Sequence, residues 1–256
     1  MSRAARPPRH PVHYLIFRVV RATGGCRGAS SLSFSRSLRR RGPAAHRENA
    51  GMPDHASAPR TPAFGIWLIV AGVVGWTAAF ELTLERLHLL ANPAAAASCD
   101  FSVLVQCKAN LESWQGSAFG FPNPILGLAG WVAPVIMGVA VLARVRFPGW
   151  FWGLFWFGTA SAFGLVTWFI SQSIFQLHTL CPWCMLTWSM TIPTFYAVTV
   201  HVLRIGAVPV TARTRSRAGR LMAWVPLATI LSYAVVILLA QLRLDAIPNV
   251  LSTFFG

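Results

Sequence analysis

Four of the five cysteines in this sequence fall into two pairs whose spacing suits thiol chemistry, Cys99 with Cys107 and Cys181 with Cys184. The second pair is a C-x-x-C, Cys181-Pro182-Trp183-Cys184, with proline where a helix would begin. Such a start puts the first cysteine near the cap and the second one turn on, so both sulfurs face the same way. Unpaired amides and the positive end of the helix dipole favour a thiolate there, which lowers the thiol pKa and permits exchange at neutral pH. His178, three residues earlier, would add positive charge when protonated, although a polar interfacial residue is the plainer reading. A C-x-x-C can also hold a metal ion. Cys99 and Cys107 are separated by seven residues, an easy loop for a disulfide but an awkward one for zinc, whose paired ligands usually stand about two to four apart. If the two pairs come together, a thiolate of one can attack the disulfide of the other and relay two electrons by exchange. If they do not, the 99–107 pair is a static structural disulfide. The fifth cysteine, Cys26, has nothing around it that suggests a site.

Whether the pairs can meet depends on the elements that carry them. The chain of 256 residues is 55% apolar and 11% charged, with 11 Trp and 17 Phe. That is too little charge to cover a water-soluble globule of this size. The apolar residues gather into runs of roughly 20, the length of a membrane-spanning helix. Phe64 to Phe80 carries no charge and continues more weakly through Glu81, Glu85 and Arg86 to Leu90, where Asn92-Pro93 stops it. Ser113 to Ala143 is free of Asp, Glu, Lys and Arg, and a helix from Pro124 to just before Arg144 fits the bilayer. Phe147 to Leu203 suffices for two spans joined by a hairpin marked by Ser171-Gln172-Ser173 and Cys181-Pro182. A fifth helix is expected from Leu221 to Leu242. The expected fold class is therefore an all-α polytopic membrane protein.

The net charge of +15 is spread unevenly over alternate connections. Residues 1–62 hold twelve Arg, the connection after the second span holds Arg144 and Arg146, and the one after the fourth holds Arg204, Arg213, Arg215, Arg217 and Arg220. Residues 91–122 have Lys108 as their only basic residue, and the 172–181 hairpin has no Lys or Arg. By the positive-inside rule the N-terminus is cytoplasmic and the four cysteines share the extracytoplasmic, oxidising side. That placement favours the relay over the static disulfide. Topology accounts for the basic charge, and no folded basic domain suggests nucleic acid. Residues 1–62 read as a disordered basic segment, and Met52 is the expected translation start.

Cys99-Asp100, Cys107, Ser117-Ala118-Phe119-Gly120, Asn123-Pro124-Ile125-Leu126-Gly127 and Cys181-Pro182-Trp183-Cys184 stand in an order that resembles the vitamin K epoxide reductase family. The resemblance covers about residues 63–204. It implies a four-helix catalytic bundle around a quinone, capped by the 91–122 cysteine loop, with residues 205–256 supplying a basic connection, the fifth helix and a short tail, as in bacterial forms. It also implies an order of transfer. A reduced thioredoxin-like extracytoplasmic partner delivers electrons to Cys99, Cys107 exchanges with Cys181, and Cys184 addresses the quinone, menaquinone or a relative, in the inner (plasma) membrane. Asn123 corresponds to an asparagine near the quinone carbonyl, where an amide donor stabilises developing charge; read alone, it is a turn residue before Pro124. Ser117 is a candidate quinone contact, whereas Ser113 reads as structural.

Two departures qualify the resemblance. Where vertebrate enzymes have tyrosine four residues after the second C-x-x-C cysteine, this chain has Trp188, which offers an indole N–H but no phenol, so epoxide reduction does not carry over. Many bacterial relatives also carry a thioredoxin-like domain after the fifth helix, yet this sequence ends fourteen residues past Leu242, so a separate soluble partner is expected. An oxidase of the DsbB type would place the C-x-x-C in the first extracytoplasmic loop, the reverse of the order here. A transporter is disfavoured by the lack of charge deep in the later spans, and a non-enzymatic protein with structural disulfides is the remaining alternative. Trp150, Trp152, Trp156 and Trp168 are expected as interface anchors, and Gly127, Gly130, Gly158 and Gly164 as close-packing positions.

Overall fold

The computed structural model describes residues 62–208 and 211–255. The expected disorder of residues 1–62, the start at Met52 and the reading of Cys26 lie outside them, apart from Pro62 itself. Nine α-helices follow in order among the described residues: α1 (Pro62–Ala91), α2 (Lys108–Glu112), α3 (Pro124–Gly130), α4 (Val132–Leu142), α5 (Gly149–Gln172), α6 (Pro182–Ile205), α7 (Ala212–Leu221), α8 (Val225–Leu244) and α9 (Ala246–Phe255). The chain is an all-α polytopic membrane protein. Four segments are long and apolar enough to cross a bilayer: Pro62–Ala91, Pro124–Leu142, Gly149–Leu177 and Thr214–Leu244.

Five spans were expected, and α6 is the one that does not meet this description. It is 24 residues long, but it carries Thr187, Ser189, Thr191, Thr194 and Thr199. It packs between α1 and α5, so protein rather than lipid surrounds much of its polar surface, and Thr191 and Thr194 are buried. Their hydroxyls donate to carbonyls one turn back, Thr187 O at 2.8 Å and Met190 O at 2.7 Å, which satisfies them within the helix.

Two boundaries fall elsewhere than the sequence suggested. The second span is broken at Trp131, because Pro134 has no N–H to donate to the Gly130 carbonyl. The polar Ser171-Gln172-Ser173 does not turn the chain. Instead α5 runs on through a π-helical turn, Ser173–Leu177, and the chain reverses at His178, in the left-handed conformation at φ 54°. The buried Ser173 hydroxyl donates to the Thr179 carbonyl, which ties the turn together.

Packing around α1 rests on glycine. A Cβ at Gly138 would lie 2.6 Å from the Gly65 carbonyl oxygen, and one at Gly75 would lie 2.2 Å from the Trp131 ring, so α1 and α4 meet nearly backbone to backbone. Gly127 belongs to the same seam, with a Cβ there 2.7 Å from Ala79 Cβ. Gly130, Gly158 and Gly164 do not, because a Cβ at each would meet nothing within 4 Å. The expected packing role of those three is corrected accordingly. Gly138→Leu should destabilise the protein by about 3 kcal/mol, the upper end of overpacking costs. Thermal denaturation in detergent checks this, with Gly164→Leu as a near-neutral control.

The tryptophans expected as interface anchors also divide. Trp150 is exposed, but Trp152 is buried, its ring 4.5 Å from that of His201, which stacks on Phe64. Trp156 Nε1 donates to Thr199 Oγ1 at 3.0 Å. Both therefore serve the α1–α5–α6 core.

The last long helix is attached at a defect. Pro193 interrupts α6 and leaves the Ser189 carbonyl without its helical donor. The Tyr233 hydroxyl of α8 donates to that carbonyl, and Tyr196 and Ser232 meet at 2.8 Å one turn further along.

Candidate thiol and quinone site

The cysteine loop is held by one carboxylate. Asp100 Oδ1 accepts from the Cys107 and Lys108 amides at 2.7 and 3.1 Å, and Oδ2 accepts from the Ala97 amide at 3.0 Å. Because Cys107 and Lys108 open α2, a carboxylate here also faces the positive end of a helix. Lys108 Nζ donates to the Pro93 and Ala95 carbonyls at 2.8 and 2.7 Å, and the Ser98 amide donates to Glu85 at the end of α1 at 3.2 Å. Asp100→Asn would replace one acceptor with a donor facing an amide, at a cost of about 1–3 kcal/mol. Amide hydrogen exchange at Cys107 and Lys108 should accelerate accordingly.

Within this frame Cys99 and Cys107 are joined as a disulfide, with Cα atoms 5.7 Å apart. The loop then meets the entry to α6 in a parallel bridge between Val105 and Leu180. The Leu180 amide donates to Leu104 O at 2.8 Å, and the Gln106 amide donates to Leu180 O at 3.2 Å. Cys107 and Cys181 follow these bonded positions directly, and their sulfurs lie 3.2 Å apart. Both residues are fully buried, among Leu82, Leu89 and Leu111.

Cys181 caps α6, Pro182 occupies the first turn, and Cys184 follows one turn on. Cys181 and Cys184 are free thiols. The hydrogen bond from the Cys184 thiol holds the Cys181 thiol below its ordinary value, helped by the Cys184 and Trp183 amides and opposed by burial. The lowering expected from the helix start is thus supplied chiefly by the neighbouring thiol, and burial opposes it more than either amide supports it.

Cys184 faces a partly open cavity of about 690 Å³ lined by residues of α1 to α6 and of the loop between α2 and α3. The wall is chiefly apolar, and Asn110, Gln115, Asn123, Gln172 and Trp188 supply polar groups. Of the candidate cysteines and quinone contacts, Cys184, Asn123 and Trp188 lie on this wall. Ser117 is not on it; it closes a short 3₁₀ turn, and its carbonyl accepts from the Gly120 amide at 2.9 Å. Ser113 is structural as expected, its hydroxyl donating to Asn110 O at 2.8 Å and capping that turn. None of the four tryptophans Trp150, Trp152, Trp156 and Trp168 lines the cavity.

The vitamin K epoxide reductase family matches the chain over residues 66–199, more than half its length and all of the site just described. The chain belongs to that family. No curated protein and no solved structure matches it. Family membership and the Cys99–Cys107 disulfide make the protein a redox-active thiol oxidoreductase of the membrane, quinone-linked as a family. Among the described residues no cluster of His, Cys, Asp and Glu could hold a metal ion.

Sequence reasoning missed Gln115 and Gln172. Gln115 is buried, its Nε2 donates to Gln172 Oε1 at 3.2 Å, and its carbonyl accepts from Asn123 Nδ2. Gln172 had served only as a hairpin marker. A glutamine with no charge or motif around it gives no signal until the loop is folded back over the bundle.

Proposed function

We propose that this protein generates disulfides in a separate thioredoxin-like partner and passes the electrons to a membrane quinone through Cys99, Cys107, Cys181 and Cys184. The observation that carries this reading is the continuous path from the 99–107 disulfide across 3.2 Å to Cys181 and on to Cys184 at the cavity. Four thiol–disulfide exchanges carry the electrons inward, and reoxidation of the Cys181–Cys184 pair at the cavity closes the cycle. The Cys107 thiolate attacks Cys181 of a 181–184 disulfide and releases Cys184. Cys99 then attacks Cys107, which releases Cys181 and leaves the 99–107 disulfide with two free thiols. A partner thiolate attacks Cys99 and a second partner thiol resolves that bond, so two electrons and two protons enter per partner disulfide formed. The structure has the pairing expected after the second exchange. Cys99 is only 3% exposed, so the partner reaches it when the loop lifts.

The residues present fit a quinone. The cavity is large enough for a bicyclic ring and part of an apolar tail, a thiol stands on its wall, and the Trp188 indole and the Asn123, Gln115 and Gln172 carboxamides bring N–H donors to it. Asn123, Gln115 and Trp188 would hold the ring. A quinone bound there supplies the acceptor for two electrons and two protons. The α4 and α5 walls do not pack on each other as α4 does on α1 or α5 on α6, which supports access from the bilayer. Arg144 and Arg146 follow α4 and Arg204 lies in the last turn of α6, at ends remote from the cysteines, which supports a cytoplasmic placement of those ends and an extracytoplasmic one for the thiols in the cell membrane.

Gly158 tests the cavity assignment, because it lines the cavity with no atom near its Cβ position. Gly158→Phe should fold normally yet raise the KM for a naphthoquinone about tenfold or more, as the ring occupies the ligand's space. An unchanged KM would remove the quinone from this cavity.

A further inference from the structure

The end of the molecule remote from the cysteines carries positive charge without a matching carboxylate among the described residues. Arg144 and Arg146 are exposed in the connection from α4 to α5, and Arg215, Arg217 and Arg220 are exposed on α7. Arg204 is half-buried in the last turn of α6. The described acids all lie elsewhere: Glu81 and Glu85 in the second half of α1, Asp100 and Glu112 in the cysteine loop, and Asp245 after α8.

The two basic connections touch. A Cβ at Gly149 would lie 3.6 Å from Ala207 Cα. Phe147, Ile205, Val208 and Val225 pack on one apolar cluster, so the start of α5, the end of α6 and the head of α8 meet there. Arg215 is fixed at this junction. Its Nε donates to the Arg204 carbonyl at 3.1 Å, among the last carbonyls of α6, where a cation is favoured. Its Nη1 would stand 3.3 Å from a Cβ at Gly206, which turns the chain at φ 69°. The bond to Arg204 uses Nε alone, so the paired Nη groups stay available to an anion, and their planar fork suits a phosphate. Arginines gathered at one face repel one another unless an anion lies among them. Trp150 beside Gly149 and Trp224 beside Val225 are exposed at the same end, and exposed tryptophan at a span end sits among lipid headgroups. That sets the arginines at the depth of the phosphates.

We propose that this junction binds the phosphate of an anionic phospholipid in the leaflet at that end, with Arg215 as its fixed donor and the other exposed arginines supplying the surrounding field. A zwitterionic headgroup, which carries its own ammonium, gains less from that field.

The test reads a lipid ratio. The full chain is incubated in micelles holding equal amounts of phosphatidylglycerol and phosphatidylcholine with the same acyl chains, then exchanged into ammonium acetate for native mass spectrometry. In the singly lipidated species phosphatidylglycerol should be favoured about fivefold or more, and Arg215→Gln should lower that preference about fivefold, the share of one arginine near an anionic surface. Arg243→Gln, which removes the same charge at the cysteine end, should leave the ratio unchanged. Where Arg215→Gln does not fold, since Arg215 also caps α6, the double variant Arg146→Gln and Arg217→Gln takes its place and should lower the ratio. No preference in the native chain, a preference that survives these substitutions, or an equal drop in Arg243→Gln overturns the proposal. Phosphate in the incubation should act no more strongly than chloride at the same ionic strength. A loss specific to phosphate would mean a site for the free anion and overturns the lipid assignment.

Discussion

In protein carrying both Cys99→Ser and Cys184→Ser, mild oxidation with diamide is expected to join Cys107 to Cys181 in most molecules. Each has lost its usual partner, and their sulfurs already stand 3.2 Å apart, fully buried and held by the Val105–Leu180 bridge. A disulfide needs only about 1 Å of further approach. Neither side chain can reach a competing thiol without breaking the loop's attachment to Asp100 and Leu180. Non-reducing peptide mapping should show the 107–181 linkage, and alkylation should find neither cysteine. Two freely alkylated cysteines would mean that the pairs do not communicate and that 99–107 is a static staple.

Cys184→Ala should reduce quinone-dependent thiol oxidation on the order of a thousandfold or more, since no other thiol lines the cavity wall. Its effect on the fold should be small. The Cys99–Cys107 disulfide and the Asp100 hydrogen bonds involve other residues, so the thermal midpoint should move little. Steady-state assays with a reduced thioredoxin-fold protein and a naphthoquinone check the first expectation, and a melting curve in detergent checks the second. Activity within tenfold of the native protein would place electron exit elsewhere.

The chemistry of the site was legible in the sequence because cysteine pairs announce themselves by spacing. The start of α6 was equally clear, because Pro182 at the head of an apolar run has few other meanings. Long charge-free runs likewise predicted the helices. Reading failed where a residue's role depends on what lies across from it. Gly130 and Gly127 are three residues apart and alike on paper, yet one borders open cavity and the other touches Ala79. Trp152 and Trp150 differ in the same way, one in the core and one exposed. Ser171-Gln172-Ser173 looked like a turn because polar residues usually leave the membrane. Here Ser171 bonds its own helix, Gln172 accepts from Gln115, and Ser173 holds the Thr179 carbonyl. Ser117 matched a family fragment, but the 3₁₀ turn that contains it keeps it off the cavity wall.

Counting turnovers from a fully reduced start tests the central claim most directly. Protein with all four site thiols reduced is mixed anaerobically with excess naphthoquinone, without partner, and the hydroquinone formed per chain is measured. A relay predicts about two per native chain, one for each cysteine pair, because the 181–184 disulfide is handed to 99–107 and then formed again. Cys99→Ser should give about one and Cys184→Ser about none. If the native protein yields only one, or Cys184→Ser still yields hydroquinone, the two pairs are not in series and the account is wrong.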